Sequence, residues 1–130
     1  MPPSEKSAPE IVCLVDDDSA VLKSIGRLLA SDGFSHRSFD RPKDFLDHVR
    51  SNKVPVVVLD ILMGEMNGLD VQAQVSELSP RTRVIVITGR EDSKMKDAAL
   101  RAGAVAFFSK PFDDGEFLGA VRGALAMPVE

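Results

Sequence analysis

Short runs of β-branched and aromatic residues alternate with amphipathic segments along nearly the whole chain, and that alternation limits the folds open to it. The runs IVCLV (11–15), VVVLD (56–60), RVIVIT (83–88) and AVAFF (104–108) are largely apolar. Such runs suit parallel strands covered on both faces. FSHRSF (34–39) is more polar and suits an edge strand. Between the runs, apolar residues recur at helical spacing. Val21, Leu22, Ile25, Leu28 and Leu29 do so in 19–31, with Gly33 following as a C-terminal cap. Phe45, Leu46 and Val49 repeat the pattern in 42–50, and Val71, Val75 and Leu78 in 68–79, before Pro80. Met95, Ala98, Ala99 and Ala102 do so in 92–102, before Gly103, and Phe117, Leu118, Val121 and Leu125 mark a last helix.

Five strands alternating with five helices predict an α/β fold, a doubly wound five-stranded parallel sheet of the flavodoxin-like kind. Right-handed crossovers, with the polar second strand at an edge, favour the order 2-1-3-4-5. Strands 1 and 3 then flank the topological switch point, and ligands in such sheets bind beyond the carboxyl ends of the strands there.

The bulk properties narrow the class. A length of 130 residues suits one domain with one substantial core. The polar, proline-rich opening reads as a disordered leader over 1–9, leaving a domain over 10–127. A net charge of −4 argues against a nucleic-acid-binding surface spread over this domain, although a basic domain elsewhere in a longer protein stays open. The lone cysteine, Cys13, sits inside an apolar run, reads as a buried small hydrophobe and fits a reducing, cytoplasmic compartment. No run approaches the ~18 apolar residues of a membrane span. His36 and His48 have no cysteine or histidine at ligand spacing and read as solvated surface.

The predicted topology brings particular side chains together. Strand 1 ends at Asp16 and Asp17, strand 3 at Asp60, strand 4 at Thr88, and strand 5 runs into Lys110-Pro111. Three adjacent acids, Asp16 to Asp18, are more than a helix cap needs. Clustered carboxylates suit a hard cation; magnesium prefers oxygen ligands and often shares its shell with phosphate. A carboxylate can attack phosphorus to give an aspartyl phosphate. Lysine and threonine can hold phosphoryl oxygens.

In these pieces the chain closely resembles the receiver domains of bacterial two-component response regulators. The resemblance rests on VDDD after strand 1, VVLDILMGEMNGLD around strand 3, VITGR after strand 4 and FFSKPF after strand 5, and it covers about 10–126. It implies a phosphorelay switch in which Asp60 is the phosphoacceptor. Asp16 and Asp17 become the acidic pair, with Asp17 preferred as the direct ligand of Mg2+ (or Mn2+) and Asp16 acting largely through water. The backbone carbonyl of Leu62 becomes another ligand. Thr88 and Lys110 become phosphoryl-binding residues, and Thr88 and Phe107 the switch pair. Leu62 and Arg90 flank the path of a hydrolytic water and so modulate phosphoryl lifetime, while Gly89 leaves space beside the phosphoryl group. A cis Lys110–Pro111 peptide is expected on the same ground. The implied partners are a sensor histidine kinase or phosphotransfer protein, and a second copy through the helix 4–strand 5–helix 5 face. Neither direct nucleic-acid binding by this domain nor a membrane is implied.

Two positions depart from the family pattern. Gly64 replaces a common proline, and Ala106 stands where receivers joined to helix-turn-helix domains often carry an acid. Three rival readings each meet an obstacle in the residues. A haloacid-dehalogenase-type phosphatase needs an acid two residues after its nucleophile, where this chain has Leu62. A flavodoxin-like electron carrier needs a hydroxyl- and glycine-rich phosphate loop after strand 1, where this chain has acids. A pseudo-receiver that works without phosphorylation is at odds with the full set of acids, threonine and lysine.

Overall fold

The computed structural model describes residues 10–61, 67–89 and 93–127; the leader expected over 1–9 and the positions Leu62, Gly64 and Arg90 lie outside these. In chain order the elements are β1 (Ile11–Val15), α1 (Ser19–Ser31), β2 (Ser35–Phe39), α2 (Pro42–Ser51), β3 (Val56–Asp60), α3 (Gly68–Leu78), β4 (Arg83–Thr88), α4 (Ser93–Arg101), β5 (Ala106–Ser109) and α5 (Asp114–Ala126). All neighbouring strands pair parallel, in the order β2-β1-β3-β4-β5. This is the 2-1-3-4-5 sheet expected from the alternation.

Burial follows sheet position. The central strand β3 is buried along its whole length, whereas the edge strand β2 is exposed except at Phe39, which is half-buried. Side chains alternate across the sheet and build two cores. One packs Cys13, Val15, Val57, Leu59, Val84 and Val86 against Phe45, Val71, Val75 and Ala99 from α2, α3 and α4. The other packs Val12, Leu14, Val56, Val58, Ile85 and Ile87 against Leu22, Ile25, Leu29, Phe117 and Val121 from α1 and α5. Phe117 is fully buried and meets the rings of Phe112 and Phe108, with centroids 4.9 and 5.8 Å away. Phe117→Ala should therefore cost ~3–5 kcal/mol of stability, read as a lower urea midpoint at unchanged slope.

Helix ends explain most boundaries. Asp18, Asn67 and Asp113 cap α1, α3 and α5, each accepting a backbone N–H within the first turn. Gly33 takes φ +85° after α1, with its N–H bonded to Ala30 and that of Phe34 to Leu29, a Schellman ending. Gly103, at φ +106°, ends α4 the same way, with Ala104 N–H bonded to Ala99. That bond commits Ala104 to the helix ending, so β5 begins at Ala106 rather than at the expected 104. Cys13 is buried, and burial pushes its thiol up to about 11, against a small opposing pull from the Arg37 cation. It is a packing residue. His48 is half-buried, its ring centroid 5.2 Å from that of Phe39, rather than fully solvated as expected; burial, then the Arg37 cation, lowers its pKa.

Candidate functional site

Parallel strands put all their carboxyl ends on one edge, and backbone bonds just past those ends hold the chain there. The Asp16 N–H donates to Phe39 O at 3.1 Å, Ile61 N–H to Ile87 O at 3.0 Å, and Lys110 N–H to Thr88 O at 2.7 Å. Every junction leading to a candidate residue is thus tied to a neighbouring strand. The separated carboxylates of β1 and β3 converge as the switch-point argument requires. Asp16, Asp17 and Asp60 each offer an oxygen within 4.8 Å of the others. Asp16 and Asp60 are buried and Asp17 is exposed, so the cluster opens to solvent on one side.

The carboxylate of Asp16 has two different surroundings. Its Oδ1 accepts the Asp18 N–H at 2.9 Å, closing the turn into α1. Its Oδ2 is buried, has no hydrogen-bond partner among the described residues and lies 3.5 Å from Lys110 Nζ. One lysine cannot neutralise three converging acids, and a buried carboxylate oxygen without a donor is costly. A hard divalent cation with oxygen ligands fits this donor set, and Mg2+ or Mn2+ would be held by Asp17, Asp60 and, in part, Asp16. Asp18 caps α1 through its own side chain, so the triplet divides into two site acids and one cap.

Thr88 is fully buried at the end of β4, paired in register with Ser109, the residue before Lys110. The Lys110–Pro111 peptide is cis, as expected. Phe107 is half-buried against the core under α2, α3 and α4, whereas its neighbour Phe108 packs on the opposite face. Phe107 lines a cleft between α4 and α5 with Ser93, Lys96 and Glu116. At Gly89, nothing among the described residues lies within 4 Å of where a Cβ would stand. The structure thus brings Asp16, Asp17, Asp60, Thr88 and Lys110 to one edge, with Phe107 behind it. Leu62 and Arg90 lie outside the described residues. Sequence reasoning missed the Asp16–Lys110 pair, for which no local pattern exists, and the seating of α3 against β3, for which Asn67-Gly68 was the signal.

A parallel 2-1-3-4-5 sheet with an acidic cluster at its switch point, facing a threonine and a lysine, is the arrangement of a receiver. The chain belongs to the response regulator receiver domain family, whose family model matches residues 12–122. It is 42% identical over 117 residues to the response regulator protein TodT of Pseudomonas putida, covering 90% of this chain and 52% of that protein. It is 35% identical over 121 residues to nodulation protein W of Bradyrhizobium diazoefficiens, covering 93% and 53% respectively. The chain therefore spans about half the length of these relatives. Among solved structures, the BeF3-activated receiver domain of DrrB superposes with a TM-score of 0.83 at 28% identity, covering 92% of this chain and 100% of that one. A CheY-like receiver from Methanospirillum hungatei gives a TM-score of 0.84 at 24% identity, covering 91% and 94%, and shares the fold. Among the described residues, no helix is long and apolar enough to cross a membrane.

Proposed function

We propose that residues 10–127 act as a phosphoryl-accepting switch in a two-component relay, with Asp60 as the acceptor. The observation that carries this reading is the convergence of Asp16, Asp17 and Asp60 within 4.8 Å, beside Lys110 and Thr88. A partner histidine kinase or phosphotransfer protein presents phosphohistidine. An Asp60 carboxylate oxygen attacks phosphorus in line, the P–N bond breaks, and its electron pair returns to the imidazole, which takes up a proton. Bound Mg2+ would neutralise the charge on the phosphoryl oxygens. Lys110 would leave Asp16 for one phosphoryl oxygen, and Thr88 would donate its hydroxyl to another. Both residues lead directly to β5 and α4, so Phe107 and the α4–β5–α5 face would feel the change, and a second copy or another partner would read it there. The output is binding, in the cytoplasm, rather than metabolite turnover. This domain contacts neither DNA nor a membrane itself.

The test is Mg2+-dependent labelling by phosphoramidate, whose P–N bond resembles that of phosphohistidine. One phosphoryl group per chain is expected with Mg2+ and none with chelator; labelling indifferent to the metal would contradict the reading. The fate of that group depends on Leu62 and Arg90. Leucine offers nothing to orient an attacking water, while arginine can cover phosphoryl oxygens with a fixed donor fork. Orientation is a large part of phosphoryl-transfer catalysis, so a long-lived phosphoryl group is expected despite the space at Gly89. Leu62→Asn together with Arg90→Glu should speed phosphate loss by about tenfold or more, since positioned groups of this kind contribute at least that much. An unchanged decay would remove both residues from the account.

A further inference from the structure

We infer that Gly68 is a positioning residue for Asp60, holding the phosphoacceptor in place through a contact that only glycine permits; this rests on the proposed role of Asp60. Gly68 is the first residue of α3 and is buried. A Cβ built there would lie 2.5 Å from Asp60 O, 2.6 Å from Ile61 Cα and 3.1 Å from Asp60 C. All three are backbone atoms of the residue that carries the carboxylate and the one after it. No flexible side chain can yield to the added methyl. Gly68 does not have a positive φ, so the requirement is for space rather than torsion.

The same residue is also hydrogen-bonded to the end of β3. Its N–H donates to Ile61 O at 2.9 Å, while the Asn67 side chain caps α3 through the Leu69 N–H at 2.7 Å. The start of α3 is therefore tied to the residue that follows Asp60. Restoring ordinary contact there, from 2.5 Å to at least 3.4 Å, requires an opening of about 0.9 Å. β3 is hydrogen-bonded to β1 on one side and β4 on the other, so the strand is the stiffer partner. Asp60 is the last residue of that strand, so whatever displacement α3 does not take falls on the Asp60–Ile61 peptide, beside the cation-facing carboxylate. A cation that demands near-ideal octahedral geometry is sensitive to a shift of that size, and a misplacement of 1 Å can cost ~10²-fold in rate.

The test compares Gly68→Ala with Gly119→Ala, a position on α5 where nothing among the described residues lies within 4 Å of the new Cβ. Mg2+ affinity is read by calorimetry and the labelling rate with acetyl phosphate, per folded molecule, with sucrose present to favour the native state. Gly68→Ala should weaken Mg2+ binding by about tenfold or more and slow labelling by about a hundredfold, while Gly119→Ala matches the parent. A Gly68→Ala protein that melts earlier yet binds Mg2+ and labels like the parent has lost only helix packing, and overturns the positioning role. A parent that takes no phosphoryl group on Asp60 removes the proposed function, and this inference with it. If the alanine variant does not fold, hydrogen exchange in the parent decides. Mg2+ should slow the Gly68 amide, bonded to Ile61, more than the Val121 amide of α5, and equal slowing overturns the inference.

Discussion

Asp60→Asn should leave the fold intact and abolish labelling by acetyl phosphate. The amide is nearly the same size as the carboxylate, so the site at the end of β3, where Asp60 is 5% exposed, suffers no overpacking. It also removes one of three converging negative charges, so the metal-free variant should be at least as stable as the parent. What it loses is the nucleophile. Asp16 is already engaged by Lys110 and by the Asp18 N–H, and Asp17 is the solvent-exposed member of the cluster, so neither is expected to take over as acceptor. Mass spectrometry of treated parent and variant, alongside urea denaturation of both, checks the two halves. Full labelling of the variant would move the acceptor elsewhere, and a collapsed denaturation midpoint would show Asp60 to be structural.

Asp17→Asn should change stability in opposite directions with and without metal. Without Mg2+, the substitution relieves repulsion among Asp16, Asp17 and Asp60, and the melting temperature should hold or rise. With Mg2+, the parent gains RT ln(1 + [Mg2+]/Kd), about 2.7 kcal/mol at a hundredfold excess over Kd. The variant keeps two acids, one already engaged with Lys110, and should bind Mg2+ at least about a hundredfold more weakly, since even outer partners of a metal cost 10–100-fold when lost. Thermal melts across a Mg2+ titration display both signs in one experiment. A variant that gains as much from Mg2+ as the parent would remove Asp17 from the ligand set.

Much of this architecture is legible in the residues, for identifiable reasons. β1, β3 and β4 are short, continuous apolar runs because both faces of a parallel strand are covered, and their ends fall where the polar site residues begin. The polar FSHRSF run marked the edge because β2 has a neighbour on one side only. β5 starts later than expected because Ala104 is apolar yet serves the ending of α4, and hydrophobicity alone cannot separate a helix cap from a strand start. The acids converge through topology, so strand order was enough to pair β1 with β3. The two contacts that escaped are of another kind. The Lys110–Asp16 approach depends on where a long side chain settles, and the closeness of Gly68 to Asp60 depends on the angle at which α3 returns to the sheet. Neither leaves a periodic trace.

The central claim is that Asp60 itself carries the phosphoryl group. An acyl phosphate is the one carboxylate state in this chain that borohydride reduces to an alcohol, converting the aspartate to homoserine. The chain is treated with acetyl phosphate and Mg2+, reduced, digested and sequenced by fragmentation. The account predicts homoserine at position 60 alone, and none when the metal is chelated. Homoserine at Asp16 or Asp17, or an unmodified position 60 in a labelled chain, would contradict it.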